Sequence, residues 1–148
     1  MRDMSTLHPF ATTLHIRDRC LCLHAQRAAR RLSRRFDEAM RPVGITSGQF
    51  SLLNGLNRPE PPTIGAVASL LAMDRSTVTA NLKPLERQGL VRIEADPEDR
   101  RGRRIALTGQ GLALLAAATP IWTREHAAIE ATLSDDGDAL RTALNSLI

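Results

Sequence analysis

A chain of 148 residues, 43% of them apolar, can bury one core or two small units that share one, which excludes an intrinsically disordered segment. Aromatics make up only 3% and tyrosine is absent, so the core must be built from Leu, Ala, Ile and Val, a composition suited to packed helices. The net charge of +4 and a pI of about 10.3 favour acidic partners, nucleic acid foremost. Nearly all the positive charge is Arg, with Lys83 the only lysine, and guanidinium suits planar, bidentate contact with phosphate or guanine.

Residues 1–13 show no clear period, and a loosely held N-terminus is expected there. There is no apolar run of the roughly 18 residues that a membrane span needs. The start of the chain, MRDMSTLHPFATTLHIRDRC, has no uninterrupted hydrophobic stretch and no small-residue cleavage site. No membrane partner is therefore expected, and the chain is assigned to the cytoplasm, associated with the nucleoid. From about 14 to 41 a first helix is predicted. Leu21, Ala25, Ala28, Leu32 and Ala39 recur at helical spacing, and Ala29 and Phe36 widen the stripe. Pro42 and Gly44 end it.

A second helix is predicted over 46–56, with Phe50, Leu53 and Leu56 inward, and RPEPP at 58–62 stops it. Thr63 is a good N-cap for a third, short helix (64–73), whose Ile64, Val67, Leu70 and Leu71 face the core. Asp74 is the expected N-cap of a fourth, RSTVTANLKPLERQ, which buries Val78, Leu82 and Leu85 and ends at Gly89. LVRIEA and RIALT then alternate in polarity around DPEDRRGRR, a β-hairpin signal. Thr108 is placed to cap a fifth helix running through Leu112, Leu115, Ala116 and Trp122 to Leu133, kinked at Pro120. Ser134, followed by DDGD, is placed to cap a sixth with Leu140, Leu144 and Leu147 on one face.

The third and fourth helices are separated by almost nothing, which matches a helix-turn-helix. In that motif the second helix enters the major groove. Here it offers Arg75, Ser76, Thr77, Thr79, Ala80, Asn81 and Lys83 away from Val78 and Leu82. Arg suits guanine, Asn suits adenine, and hydroxyls suit either base or phosphate. An ordinary amphipathic helix with a polar face would carry similar residues. The hairpin separates the two readings. Seven of the nine residues at 96–104 are charged, and four are arginines. A solvated loop is the common fate of such a run, but an arginine tip directly after a helix-turn-helix is the wing of a winged helix, which reaches backbone or minor groove. The fold class is thus mainly α with a small β-wing.

The runs STVTANLKPLERQGLV (76–91) and DPEDRRGRRIALTGQG (96–111) resemble the recognition helix and wing of the MarR family of bacterial transcriptional regulators. The likeness extends over about 20–148. It implies a winged helix-turn-helix DNA-binding domain at 45–108. It also implies a helical dimerisation domain from 14–44 and 109–148, in which the first, fifth and sixth helices of two chains intertwine. By the same match Arg101 is the wing-tip arginine and Asp99 the partner that orients it. Arg100, Arg103 and Arg104 add positive charge. The expected partners are double-stranded DNA carrying a pseudo-palindromic operator, a second copy of the chain, and a small aromatic or amphipathic effector that releases a repressor. Its crevice is expected near Arg31, Phe36 or Phe50.

CLCLH at 20–24 is the other conspicuous stretch. Two positions apart on a helix, Cys20 and Cys22 point roughly 200° apart and cannot readily bridge. Either is a small buried hydrophobe, or Cys22 is a sensor: it falls where the organic-hydroperoxide-sensing branch of the MarR family keeps its reactive cysteine. That branch holds its thiolate with tyrosines, where this chain has Gln26, Phe36 and Ser47. Cys20 and His24 are spaced as metal ligands, but His8, His15 and His126 are scattered, so neither metal nor cofactor is expected. The rival class is a thiol oxidoreductase. Cys-x-Cys is not Cys-x-x-Cys, and no Gly-rich phosphate loop or Gly-x-Ser-x-Gly occurs, so no enzyme is expected.

Overall fold

The computed structural model of the chain describes residues 4–148 and divides into two units, one ending at Arg35 and one spanning Phe36–Ile148. In the first, a 3-10 turn at Met4–Thr6 precedes α1 (Phe10–Arg19), and α2 (Leu21–Met40) follows after a single residue. The one helix expected over 14–41 is therefore two, and the first starts at Phe10, inside the stretch expected to be loose. Residues 1–3 of that stretch lie outside the described residues. Cys20 makes the break. Its backbone is extended (φ −68°, ψ 108°), and its N–H closes α1 on the Ile16 carbonyl at 2.8 Å. Its sulfur then accepts the Leu23 N–H at 3.4 Å and its carbonyl the His24 N–H at 3.1 Å. A thiol thus does at the start of α2 what a hydroxyl or carboxylate does at other helix starts, satisfying a donor that has no partner in the helix.

The second unit is built on well-capped helices. Thr46 and Gln49 close a capping box on α3 (Ser47–Leu56), with the Gln49 N–H on Thr46 Oγ1 at 3.1 Å and the Thr46 N–H on Gln49 Oε1 at 3.0 Å. Thr63 accepts the Ala66 N–H at 3.1 Å and starts α4 (Ile64–Leu71). Asp74 precedes α5 (Arg75–Arg87) as expected but makes no capping bond with its side chain. Strands β1 (Val91–Ala95) and β2 (Arg103–Leu107) pair antiparallel with Val91 opposite Leu107 and Ala95 opposite Arg103. Thr108 caps α6 (Gly109–Glu130) through the Gly111 N–H at 3.1 Å. That helix passes through Pro120 without ending, and the hydroxyls of Thr119 and Thr123 donate to carbonyls one turn back.

Two expectations are corrected here. The cap of α7 (Gly137–Asn145) is Asp136, which accepts the Asp138 N–H at 3.1 Å, and not Ser134. The helix begins at Gly137, so the residue just before it, Asp136, is the one whose side chain can reach the unpaired N–H groups of the first turn. Leu70 faces solvent at 57% exposure. The buried stripe of α4 runs Ile64, Val67, Ala68, Leu71, the i, i+3, i+4, i+7 set, and Leu70 falls outside it.

The main core is formed by Leu52, Leu53 and Leu56 of α3, Val67 of α4, the α5 stripe, Ile105 of β2 and Leu115 of α6. A second cluster surrounds Met40, Ile45 and Ala118, with Phe36, Phe50 and Trp122 packed on it. The faces of α6 and α7 that carry Leu112, Leu140 and Leu144 are exposed, as is Leu147 just beyond α7. Among the described residues no helix is long and apolar enough to cross a membrane.

Gly111 sits where α6 meets the chain leaving α5, and an added Cβ would collide with the Leu90 carbonyl, a backbone atom that has no rotamer to yield. We expect Gly111→Ala to lower stability by about 2 kcal/mol or more, read as a drop in urea midpoint at unchanged slope.

Candidate nucleic-acid interface

Helix α5 divides cleanly. Val78, Leu82 and Leu85 are each 0% exposed and anchor it to the core. Arg75, Ser76, Thr77, Ala80, Asn81 and Lys83 are all exposed. Ser76, Ala80, Lys83 and Arg87 repeat along the face opposite the buried stripe, so Arg87 extends the row beyond the residues expected from sequence. Thr79 is the exception among those expected. It is half-buried, and its hydroxyl turns back to donate to the Arg75 carbonyl at 2.9 Å. The Arg75 guanidinium lies over Gly65 of α4, where a Cβ would sit 2.9 Å from its terminal nitrogen. Gly65 thus leaves room for an arginine at the mouth of the helix-turn-helix. Pro84 lies inside α5 without ending it.

The turn between α4 and α5 is closed by the Met73 N–H on the Ala68 carbonyl (2.9 Å) and the Ala72 N–H on the Ser69 carbonyl (3.2 Å), with Ala72 left-handed at φ 52°. The exit of α5 repeats the geometry. The Leu90 N–H reaches the Leu85 carbonyl and the Gly89 N–H the Glu86 carbonyl, both at 3.0 Å, with Gly89 at φ 74°.

In the wing, the acids organise the tip. Asp96 Oδ1 accepts the Glu98 N–H and Asp99 Oδ1 the Arg101 N–H, each at 3.0 Å, two consecutive Asx turns. The Gly102 N–H then closes on the Asp99 carbonyl at 3.0 Å. Asp99 therefore holds the backbone of Arg101 rather than its guanidinium, which corrects the expected side-chain pairing. The arginine that an aspartate does hold is Arg104. Its Nε donates to Asp96 Oδ1 at 3.1 Å and its NH1 to the Pro61 carbonyl at 2.9 Å, so it is not simply extra charge. Arg100, Arg101 and Arg103 are exposed, and Arg103 donates to the Gly102 carbonyl at 3.1 Å. Asp96 is the residue the sequence reading missed. Its place follows from the register of the hairpin, in which Glu94 pairs with Arg104 and a residue two positions on shares a face.

The other expected positions lie elsewhere. Phe36 and Phe50 pack on the second core cluster, and Phe50 stacks on Trp122 with centroids 6.4 Å apart. Arg31 lines an arginine-rich surface of α2 with His24, Arg27, Arg30 and Arg34. Cys22 is exposed, whereas Cys20 is half-buried and serves as the cap described above. The two thiols therefore do not share one helix face or one role. The His24 ring nitrogen Nδ1 is 2.8 Å from the Cys20 carbonyl, which gives that histidine a backbone partner.

The backbone N–H of Glu98 and the guanidinium of Arg104 hold the Asp96 carboxyl below its ordinary value of 3.8. A lowered folded value means that the stability it contributes is complete above about pH 4 and is lost as pH falls through the folded value. Acid unfolding followed by circular dichroism should therefore lose slope below about pH 4 in Asp96→Asn relative to the unmodified chain. Equal slopes would remove this account of the wing base.

A family model described as MarR family matches residues 43–102. The crystal structure of the transcriptional regulator MosR of Mycobacterium tuberculosis in complex with DNA is 37% identical, with a TM-score of 0.78 over 85% of this chain and 92% of that one. The organic hydroperoxide resistance transcriptional regulator of Bacillus subtilis is 30% identical over 101 residues, 68% of this chain and 69% of its own length. The transcriptional regulator HosA of Escherichia coli is 37% identical over 79 residues, and that match spans little more than half of HosA, 57% of its length. These relatives are regulators, which sets the thiol oxidoreductase alternative aside. Helix-turn-helix, wing and relatives agree: the chain belongs to the MarR family of winged helix-turn-helix transcriptional regulators.

Proposed function

We propose that this chain binds double-stranded DNA as a homodimer at a pseudo-palindromic operator and acts as a repressor that a small effector releases. The observation that carries it is the exposed row on α5, fixed by three fully buried residues and set beside a wing tip with three exposed arginines. Such a helix reads base edges while the wing arginines grip phosphate or a narrow minor groove. The helical segments 14–44 and 109–148 form the dimer in this reading. Leu112, Leu140, Leu144 and Leu147 stand exposed in the single chain, and a two-fold pairing would bury such faces and space two recognition helices about one DNA turn apart. An aromatic or amphipathic effector would bind near the partly buried Phe36 and Phe50.

A second reading of the signal rests on Cys22. Its exposed sulfur accepts from Gln26 Nε2 at 3.3 Å, and Arg30 donates to the same amide at 3.4 Å. The sulfur is thus reachable from solvent and already held by a polar partner, and the Bacillus subtilis relative is named for organic hydroperoxide resistance. In that reading the regulator serves a stress response.

Fluorescence anisotropy with duplexes from the DNA flanking the chain's own gene tests the main reading. Affinity should fall about tenfold or more for a modest rise in salt, and a flat response would sink it. Arg101→Ala should weaken binding about tenfold across sequences and lower the salt slope by about one, whereas Thr77 or Asn81 substitutions should change which sequence is preferred. Peroxide should release the operator from the unmodified chain and not from Cys22→Ser; unchanged release by the variant removes the thiol reading.

A further inference from the structure

The wing is fastened to the rest of the winged domain at one end of β2. The Ile105 N–H donates to the Pro62 carbonyl at 3.0 Å, and Thr63 and Arg104 form an isolated β-bridge. The loop before α4 therefore lies against the base of the wing like a third, very short strand. Arg104 adds the only side-chain links described across this seam, to the Pro61 carbonyl on one side and to Asp96 on the other. Asp96 is 8% exposed at its side chain and Arg104 24%, so this pair is shielded from water and from salt far more than the tip arginines are. Asp96 is also part of the tip: its N–H donates to the Gly102 carbonyl at 3.1 Å, and its Oδ1 takes the Glu98 N–H. Gly102 lies close enough that a Cβ there would sit 3.2 Å from the Asp96 Cβ.

We propose that Asp96, Arg104 and the Pro61 carbonyl form a clamp that sets the angle of the wing against the helix-turn-helix, and that Arg104 is a positioning residue for DNA binding rather than a phosphate contact. The inference rests on the DNA-binding reading above. Its logic is geometric. A two-stranded hairpin is marginal on its own, so what holds its base governs where its tip lies. Arg101 lies at the tip, so a small rotation at the base moves its guanidinium by several ångströms. The fork of Arg104 spans two acceptors that belong to the two sides of the seam, which a single ammonium cannot do in the same geometry. Breaking the pair from either side should loosen the wing while α5 stays on its buried stripe.

The decisive variant is Asp96→Asn. It raises the net charge by one, so simple electrostatics predicts tighter DNA binding, whereas a lost clamp predicts weaker binding. With a labelled duplex from the DNA flanking the chain's own gene, Asp96→Asn should bind about tenfold more weakly. Binding as tight as that of the unmodified chain, or tighter, overturns the inference. The effect should also pass through the wing tip. Arg101→Ala should cost about tenfold in the unmodified background and little more once Asp96→Asn is present. Full additivity of the two losses overturns the clamp. Arg104→Lys keeps the charge and is the gentler variant should Asp96→Asn fail to fold. It should lose affinity several-fold, and unchanged affinity counts against the proposal. If the unmodified chain binds no such duplex, the DNA reading fails and takes the clamp's role with it; if it binds and the variants are unimpaired, only the clamp fails.

Discussion

The hydroxyl of Thr108 accepts the Gly111 N–H at 3.1 Å and donates its own proton to the Gly89 carbonyl at 2.6 Å, while the Thr108 N–H reaches the Leu90 carbonyl at 3.1 Å. One residue thereby joins the exit of α5, the end of the wing and the start of α6. The other constraints follow from this junction. Gly89 must be left-handed for the chain to turn back toward it. Gly111 must lack a side chain for α6 to pass the Leu90 carbonyl. Leu90 and Val91 can then enter the core at 8% and 3% exposure, which fixes the register of β1 against β2. The surface that faces outward is thus determined by a polar junction on its inner side.

The charged residues divide labour along the same line. On α5 the buried stripe is wholly apolar, and Arg75, Lys83 and Arg87 stand exposed on the rest of its surface. In the wing the two aspartates are engaged internally, Asp96 by the Glu98 N–H and Arg104 and Asp99 by the Arg101 N–H, and the arginines nearer the tip are left facing out. The Asp96–Arg104 pair cancels within the wing, and Arg100, Arg101 and Arg103 stand exposed beside Glu98 and Asp99.

What could be read from the sequence tracks how local the deciding physics is. Thr63 and Thr108 were legible as caps because a hydroxyl followed by an apolar period has one good interpretation. Val78, Leu82 and Leu85 were legible because a helix with one buried face has a single period. The break at Cys20 was not, since Leu-Cys-Leu reads as helix and a sulfur is a rare cap. Ser134 and Asp136 both suit a helix start, and the local sequence SDDGD does not separate them. The pairing of Arg104 was hidden for the same reason: Asp99 is nearer in sequence to the arginines, but the hairpin carries Arg104 back to Asp96 and a separate loop supplies the Pro61 carbonyl. The outer row of α5 was legible except for Thr79, whose hydroxyl is taken by its own helix.

Ala72 has one more consequence. It holds a left-handed conformation that costs a residue with a Cβ on the order of 1 kcal/mol, at the bend where glycine is the usual occupant. The bend survives because Met73 is drawn into the core on one side and the last turn of α4 accepts both N–H groups on the other. A glycine would relieve the strain and admit many more backbone angles. With alanine the two helices are joined by a stiffer elbow, so the angle of α5 against α4 is set by the core and by the turn itself.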